Sequence, residues 1–147
     1  MAYILLVDDD RENLWSLQVA LEGDGHRVAV AEGGRHALII LHREPVQFMI
    51  TDYEMPDIDG AELCRLARAE PAHFALPIVM LSAAPEPQTG RYWTCFFRKP
   101  VRFDELTAVI NAHAAVRLSG YKLPHAVPLF ACRVVERWPE LDSRCWP

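Results

Sequence analysis

Four short stretches carry side chains that could do chemistry together: Asp8-Asp9-Asp10, Asp52, Ser82-Ala83 and Arg98-Lys99-Pro100. Carboxylates brought close to one another repel, and without a cation one of them is held protonated. A hard divalent ion removes the conflict. Mg2+ takes oxygen ligands, keeps several waters, and commonly binds one or two carboxylates plus a phosphate. Lys99 adds a compact positive charge that a phosphoryl oxygen or Asp52 can accept. It is one of only two lysines, against thirteen arginines. Ser82 can donate one hydrogen bond. A carboxylate nucleophile, a metal-binding acidic pair, an ammonium and a hydroxyl make a set suited to phosphoryl transfer onto Asp52, where positioning and charge neutralisation supply most of the catalysis.

The elements that must position these residues follow from hydrophobic patterning. Tyr3 to Val7, Phe48 to Thr51 and Pro77 to Leu81 are short, nearly all-apolar runs, the signature of strands buried on both faces. Val28 to Ala31 and Thr94 to Phe97 complete five. Between them lie helical stretches. Arg11 to Glu22 carries a Leu14, Leu17, Leu21 stripe, with Asp10 to cap it and Gly23-Asp24-Gly25 to stop it. Gly33-Gly34 opens a second, with Ala37, Leu38 and Leu41 in register, ending at Pro45. Ala61 to Glu70 places Leu63, Leu66 and Ala67 on one side. Asp104 to Arg117 does the same with Leu106, Val109, Ile110 and His113. Strands alternating with helices predict an α/β fold with a parallel sheet and right-handed crossovers. Ligands in such sheets gather beyond the carboxyl ends of the strands. Every stretch named at the outset follows a strand at that end.

Those residues resemble a known family. Ile4 to Asp10, Thr51-Asp52-Tyr53-Glu54-Met55-Pro56-Asp57-Ile58-Asp59-Gly60, Leu81-Ser82-Ala83 and Lys99-Pro100 are similar to the motifs of the bacterial two-component receiver domain, in the same order, over residues 3 to about 118. The resemblance implies a five-stranded, flavodoxin-like sheet in the order 2-1-3-4-5 with helices on both faces. It implies that Asp52 accepts a phosphoryl group from a histidine kinase or phosphotransfer protein, and that the output is contact with a downstream protein target. Asp9 and Asp52 would hold Mg2+ directly, Asp8 through water, and the backbone carbonyl of Glu54 would be a further ligand. Ser82 and Ala83 would meet the phosphoryl group, Lys99 would pair with it, and Pro100 is the candidate for a cis peptide. Phe96, three residues before Lys99, is either the aromatic switch position or a plain strand-edge aromatic. Asp10, Asp57 and Asp59 read as cap and turn residues, and Met55 and Pro56 as shaping the loop.

Two departures from that pattern stand out. Only ten residues, Ala84 to Trp93, separate Ser82-Ala83 from the fifth strand, and they include Pro85, Pro87 and Gly90. A helix of about three turns with its connections does not fit there, so the family's fourth helix is expected to be missing or degenerate. The second departure is the extension 119–147. Val127, Phe130, Ala131, Val134 and Trp138 share one helical stripe, with Pro128 suited to its first turn and Pro139 to its stop, which predicts an extra C-terminal amphipathic helix. It is expected to cover surface left bare by the fourth helix, in its own chain or across a homodimer. The domain reading is thus a receiver over 1–118 and an extension over 119–147 with no separate output domain.

Composition narrows the alternatives. The chain has 147 residues, 51% hydrophobic and 24% charged, with a net charge of −5. That balance argues against non-specific binding to DNA or an anionic membrane. No apolar run reaches the roughly eighteen residues of a membrane span, and no basic-then-apolar leader is present, so a cytoplasmic location is expected. No two of the four cysteines stand at zinc-knuckle spacing, and the six histidines contain no His-x-x-x-His pair. A phosphorylation-independent binding or dimerisation module is the second function class: Glu54, two residues after the acceptor, adds a negative side chain near the site that would slow phosphorylation or alter its lifetime, whereas the complete acidic pair, Asp52, Ser82 and Lys99 argue against a dead site. A phosphohydrolase ranks last, because that class usually shows Asp-x-Asp after its first strand, and here the nucleophile candidate follows the third. No enzymatic turnover is expected beyond Mg2+-dependent phosphorylation and dephosphorylation of Asp52 itself.

Overall fold

The structure is a computed structural model and describes residues 1–88 and 92–118. Five strands, β1 (Tyr3–Val7), β2 (Arg27–Ala31), β3 (Phe48–Asp52), β4 (Ile78–Ser82) and β5 (Cys95–Arg98), pair in parallel in the order β2-β1-β3-β4-β5. Helices α1 (Arg11–Gly23), α2 (Gly34–Arg43), α3 (Gly60–Ala69) and α4 (Phe103–Leu118) connect or follow them, with a 3-10 turn at Pro71–His73. Every residue of β1, β3 and β4 is buried, as their unbroken apolar runs require.

The sheet separates two cores. On one face Leu5, Val7, Met49, Ile78 and Met80 pack with Ala37 and Leu41 of α2 and Leu63, Cys64 and Ala67 of α3. On the other, Ile4, Leu6, Ile50 and Val79 pack with Leu14 and Leu21 of α1 and Leu106 and Ile110 of α4. His113 meets Phe48 edge-to-face, with centroids 5.9 Å apart. Full burial of each such aliphatic side chain stabilises by about 1.5–3 kcal/mol.

Asp10 caps α1, its carboxylate accepting from Glu12 N at 2.8 Å and Asn13 N at 3.4 Å. Asp59 caps α3 by accepting from Glu62 N at 2.8 Å. Asp10→Ala is expected to destabilise the domain by about 1 kcal/mol, the usual cost of a lost cap, measured by urea unfolding; an unchanged midpoint would show that the cap contributes nothing here.

The starts of β4 and β5 differ from the expectation by one residue. β4 starts at Ile78, since Pro77 has no N–H, although its carbonyl still accepts from Met49 N at 3.0 Å. β5 starts at Cys95 because the Thr94 side chain takes a ladder position: Ile78 N donates to Thr94 Oγ1 at 3.0 Å.

Among the described residues between Ser82 and Cys95, none is helical. In place of a helix, Trp93 inserts its own indole into the core with Leu63, Cys64, Ala67 and Leu76, and its Nε1–H donates to Glu86 at 2.9 Å. Arg68 ties this segment to the 3-10 turn by donating to the carbonyls of Tyr92, at 3.0 Å, and His73, at 2.8 Å. The tail helix expected from Val127 to Trp138 lies outside the described residues.

Candidate functional site

Parallel pairing puts the carboxyl ends of β1, β3, β4 and β5 on one edge. Val7 stands beside Thr51, Asp52 beside Leu81 and Ser82 beside Arg98. The chain leaves the sheet at these points, so Asp8, Asp52, Ser82 and Lys99 converge. The ladder holds them in register: Tyr53 N donates to Leu81 O and Lys99 N to Ser82 O, both at 2.8 Å. The Lys99–Pro100 peptide is cis.

Asp8, Asp9 and Asp52 each present a carboxylate oxygen within 4.8 Å of the others. Asp8 and Asp52 are buried and Asp9 is exposed, so the group opens to solvent on one side. Lys99 Nζ lies 2.8 Å from Asp52 Oδ1 and 3.7 Å from Asp8 Oδ2. Asp52 Oδ1 is buried and receives no well-directed hydrogen bond, so its contact with the ammonium is mainly charge attraction. Burial pushes the Asp52 carboxyl above its ordinary range. The Lys99 ammonium in contact with it opposes that rise without cancelling it, and the charges of Asp8 and Glu54 add to it. Burial works against the Lys99 ammonium, but Asp52 first, then Asp8 and Glu54, hold its pKa above normal. Among the described residues, Lys99 thus pairs with two of three clustered carboxylates, and a buried oxygen is left poorly satisfied. Hard oxygen donors with excess negative charge suit Mg2+, and the residues present fit that ion.

Asp8 is held in place locally. Its Oδ1 accepts from Asp10 N at 2.9 Å, and Asn13 Nδ2 lies 3.4 Å from its Oδ2. Asn13 escaped the sequence reading; its place three residues after the cap, on the first turn above the sheet edge, is the signal that could have found it. Asp57 bridges elements, accepting from Arg35 N at 3.2 Å and Gly34 N at 3.4 Å. The backbone N–H of Ile58 first, then those of Arg35 and Gly34, hold its carboxyl below the usual range. Gly60 is pressed against the acceptor's own backbone. A Cβ there would fall 2.3 Å from Asp52 O.

Ser82 is fully buried at the end of β4, whereas Ala83 is exposed. The hydroxyl of Ser82 donates to Glu54 Oε1 at 2.8 Å, and Ala84 N lies 3.2 Å from the same carboxylate oxygen. The side chain of Glu54 therefore reaches into the site, near which its place two residues after the acceptor puts it, but its bond to Ser82 is not foreseen from the sequence. Burial raises the Glu54 carboxyl, yet the bonds from Ser82 and Ala84 outweigh it and hold the group below its ordinary range. Phe96 is half-buried on the face shared with α2 and α3 and packs against that core.

The profile of the response regulator receiver domain family matches residues 4–111. The chain is 33% identical over 117 residues to the transcriptional regulatory protein GlrR of Escherichia coli, covering 75% of this chain and 26% of GlrR. It therefore spans about a quarter of that relative's length. Protein PilH of Pseudomonas aeruginosa is 28% identical over 118 residues, which cover 76% of this chain and 97% of PilH. Among solved structures, response regulator protein TrrA of Thermotoga maritima, in complex with Mg2+–BeF, superposes with a TM-score of 0.70 at 27% identity, covering 77% of this chain and 99% of TrrA. The family match spans the whole carboxyl edge just described, from Asp8 to Lys99, and the chain belongs to the response regulator receiver domains of two-component systems.

Proposed function

We propose that residues 1–118 act as a phosphoacceptor receiver, taking a phosphoryl group on Asp52 from a histidine kinase or phosphotransfer protein and passing the signal on by protein contact. The observation that carries this reading is the placement of Asp52: buried at the end of β3, 2.8 Å from Lys99, with Asp8 and Asp9 alongside. A carboxylate so held is fixed for attack and has its counter-charge supplied in advance, which is where phosphoryl transfer gains most.

Asp8, Asp9, Asp52 and the backbone carbonyl of Glu54 would hold Mg2+. Bound there, the ion supplies neutralisation of the clustered carboxylates and of the phosphoryl oxygens. The protein's own groups do the rest. Asp52 presents the nucleophilic oxygen. Lys99 balances charge on the group being transferred, and Ser82 offers a single donor to one of its oxygens. The cap contact from Asp10 N and the amide of Asn13 keep Asp8 turned toward the site. In this reading the covalent change falls on the chain's own Asp52, which fits a signalling module, and partners of that kind imply a cytoplasmic setting.

Incubation with Mg2+ and acetyl phosphate or phosphoramidate tests the reading. Labelling at one phosphoryl group per chain is expected, stable to acid, labile to hydroxylamine, absent without Mg2+ and absent in Asp52→Asn. No label at Asp52 would leave a binding module, and sustained turnover of varied phosphate esters would point to a hydrolase.

A further inference from the structure

Ser82 has one hydroxyl proton, and two acceptors claim it. A phosphoryl group on Asp52 needs that donor, but the proton is already committed to Glu54 Oε1 at 2.8 Å. Ala84 N–H, a second donor on this side of the site, lies 3.2 Å from the same oxygen and 2.9 Å from Ser82 Oγ. A carboxylate thus sits on the donors that an incoming anion would use. It is tethered two residues from the acceptor by the β3–α3 loop, which Gly60 N fixes by donating to Tyr53 O at 2.9 Å. One hydroxyl proton serves one acceptor at a time, so Ser82 cannot donate to Glu54 and to a phosphoryl oxygen together. Glu54 is exposed apart from this contact, so its side chain has open solvent to swing into.

We propose that Glu54 is an internal latch on the phosphoryl site: its carboxylate stands in for a phosphoryl oxygen on Ser82 and Ala84, and it must be displaced before Asp52 can be phosphorylated with Ser82 engaged. This rests on the phosphoacceptor reading and assigns Glu54 as a positioning residue that acts through Ser82. In the transfer step an Asp52 carboxylate oxygen forms the new bond to phosphorus. The bond from phosphorus to the bridging oxygen of acetyl phosphate breaks, and acetate leaves with its electron pair. Glu54 takes no part in that exchange. It sets the cost of freeing the donors, and the charge it withdraws on leaving adds to the gain.

A four-protein comparison in the full chain decides it: wild type, Glu54→Ala, Ser82→Ala and the double variant, with Mg2+ and acetyl phosphate. Glu54→Ala is expected to raise the labelling rate on the order of tenfold, the factor carried by a charge-assisted hydrogen bond of ~1.4 kcal/mol. In the Ser82→Ala background the gain is expected to fall to about twofold or less, because the donor that the latch withholds is gone. Apparent affinity for beryllofluoride with Mg2+, read by fluorine NMR, should follow the same pattern with no bond made or broken. Equal acceleration in both backgrounds would overturn the latch in favour of a simple charge effect at a distance, and no acceleration in either would overturn it outright. Wild type and Glu54→Ala that label equally remove the latch alone. If neither labels nor binds beryllofluoride, the phosphoacceptor reading fails and the latch falls with it.

Discussion

Gly60→Ala is expected to destabilise the domain by roughly 3 kcal/mol, at the upper end of what overpacking costs, and to lower Asp52 phosphorylation with it. The added Cβ would meet Asp52 O at 2.3 Å, Tyr53 Cα at 2.9 Å and Asp52 C at 3.1 Å. All three are backbone atoms, so no rotamer change relieves the contact. Either α3 must lift off the end of β3 or the acceptor's own peptide must move. Gly60 N is also bonded to Tyr53 O at 2.9 Å, which pins the two segments together at the same place. Alanine's better helix propensity recovers at most about 1 kcal/mol. Gly23 provides the control. Nothing lies within 4 Å of a Cβ there, so Gly23→Ala is expected to be neutral or slightly stabilising. Urea unfolding of both variants reads the difference directly. A loss under about 1 kcal/mol for Gly60→Ala would mean that the loop yields easily, and the view of it as a rigid support for Asp52 would be wrong.

Gly60 also illustrates what a sequence discloses and what it hides. The turn chemistry of Asp57 to Gly60 was legible, but not that the glycine is needed for contact with Asp52 rather than for a turn. The architecture was readable because it rests on periodicity. Buried parallel strands are apolar throughout, and the helices between them repeat Leu14 and Leu21, or Leu106 and Ile110, at helical spacing. Chemistry gathers at strand ends in such a fold, so Asp8, Asp52, Ser82 and Lys99 could be brought together before any coordinates. The contacts that escaped are between side chains far apart in sequence. Glu54 and Ser82 are 28 residues apart, and no pattern of residue types states that their side chains meet. The shortened segment before β5 was visible as prolines and a low residue count. That Trp93 would fill the core there, with Glu86 accepting from its indole, depends on the shape left between α3 and β4. The Pro71–His73 turn was missed for a similar reason, since three residues are too few to show a period.

Lys99→Ala is expected to slow Asp52 phosphorylation on the order of 10²–10³-fold, the range found when one preorganised donor to a developing anion is removed. Its effect on stability should depend on the metal. Without Mg2+, the variant leaves Asp8, Asp9 and Asp52 clustered with no cation at 2.8 Å, and a loss of about 1–3 kcal/mol is expected. Saturating Mg2+ should return most of that stability, because a divalent ion at the same carboxylates relieves the same repulsion. It should not return the rate. Charge relief in the resting protein and charge balance on the transferring group are separate tasks, and the ion, even where it shares in the second, does not replace the ammonium that stands 2.8 Å from Asp52 Oδ1. Lys99→Arg distinguishes charge from shape. A planar guanidinium keeps the positive charge but cannot place it as a compact point in contact with Oδ1, so a defect of about tenfold or more is expected to persist. Asp52→Asn in the Lys99→Ala background should remove the metal-free stability loss, since the buried charge that lacked a partner is then gone. Melting with and without Mg2+, beside labelling rates, separates the two tasks. A Lys99→Ala protein that labels at the wild-type rate, or whose stability loss ignores both Mg2+ and Asp52→Asn, would remove Lys99 from the site's charge balance and leave it a strand-end surface residue.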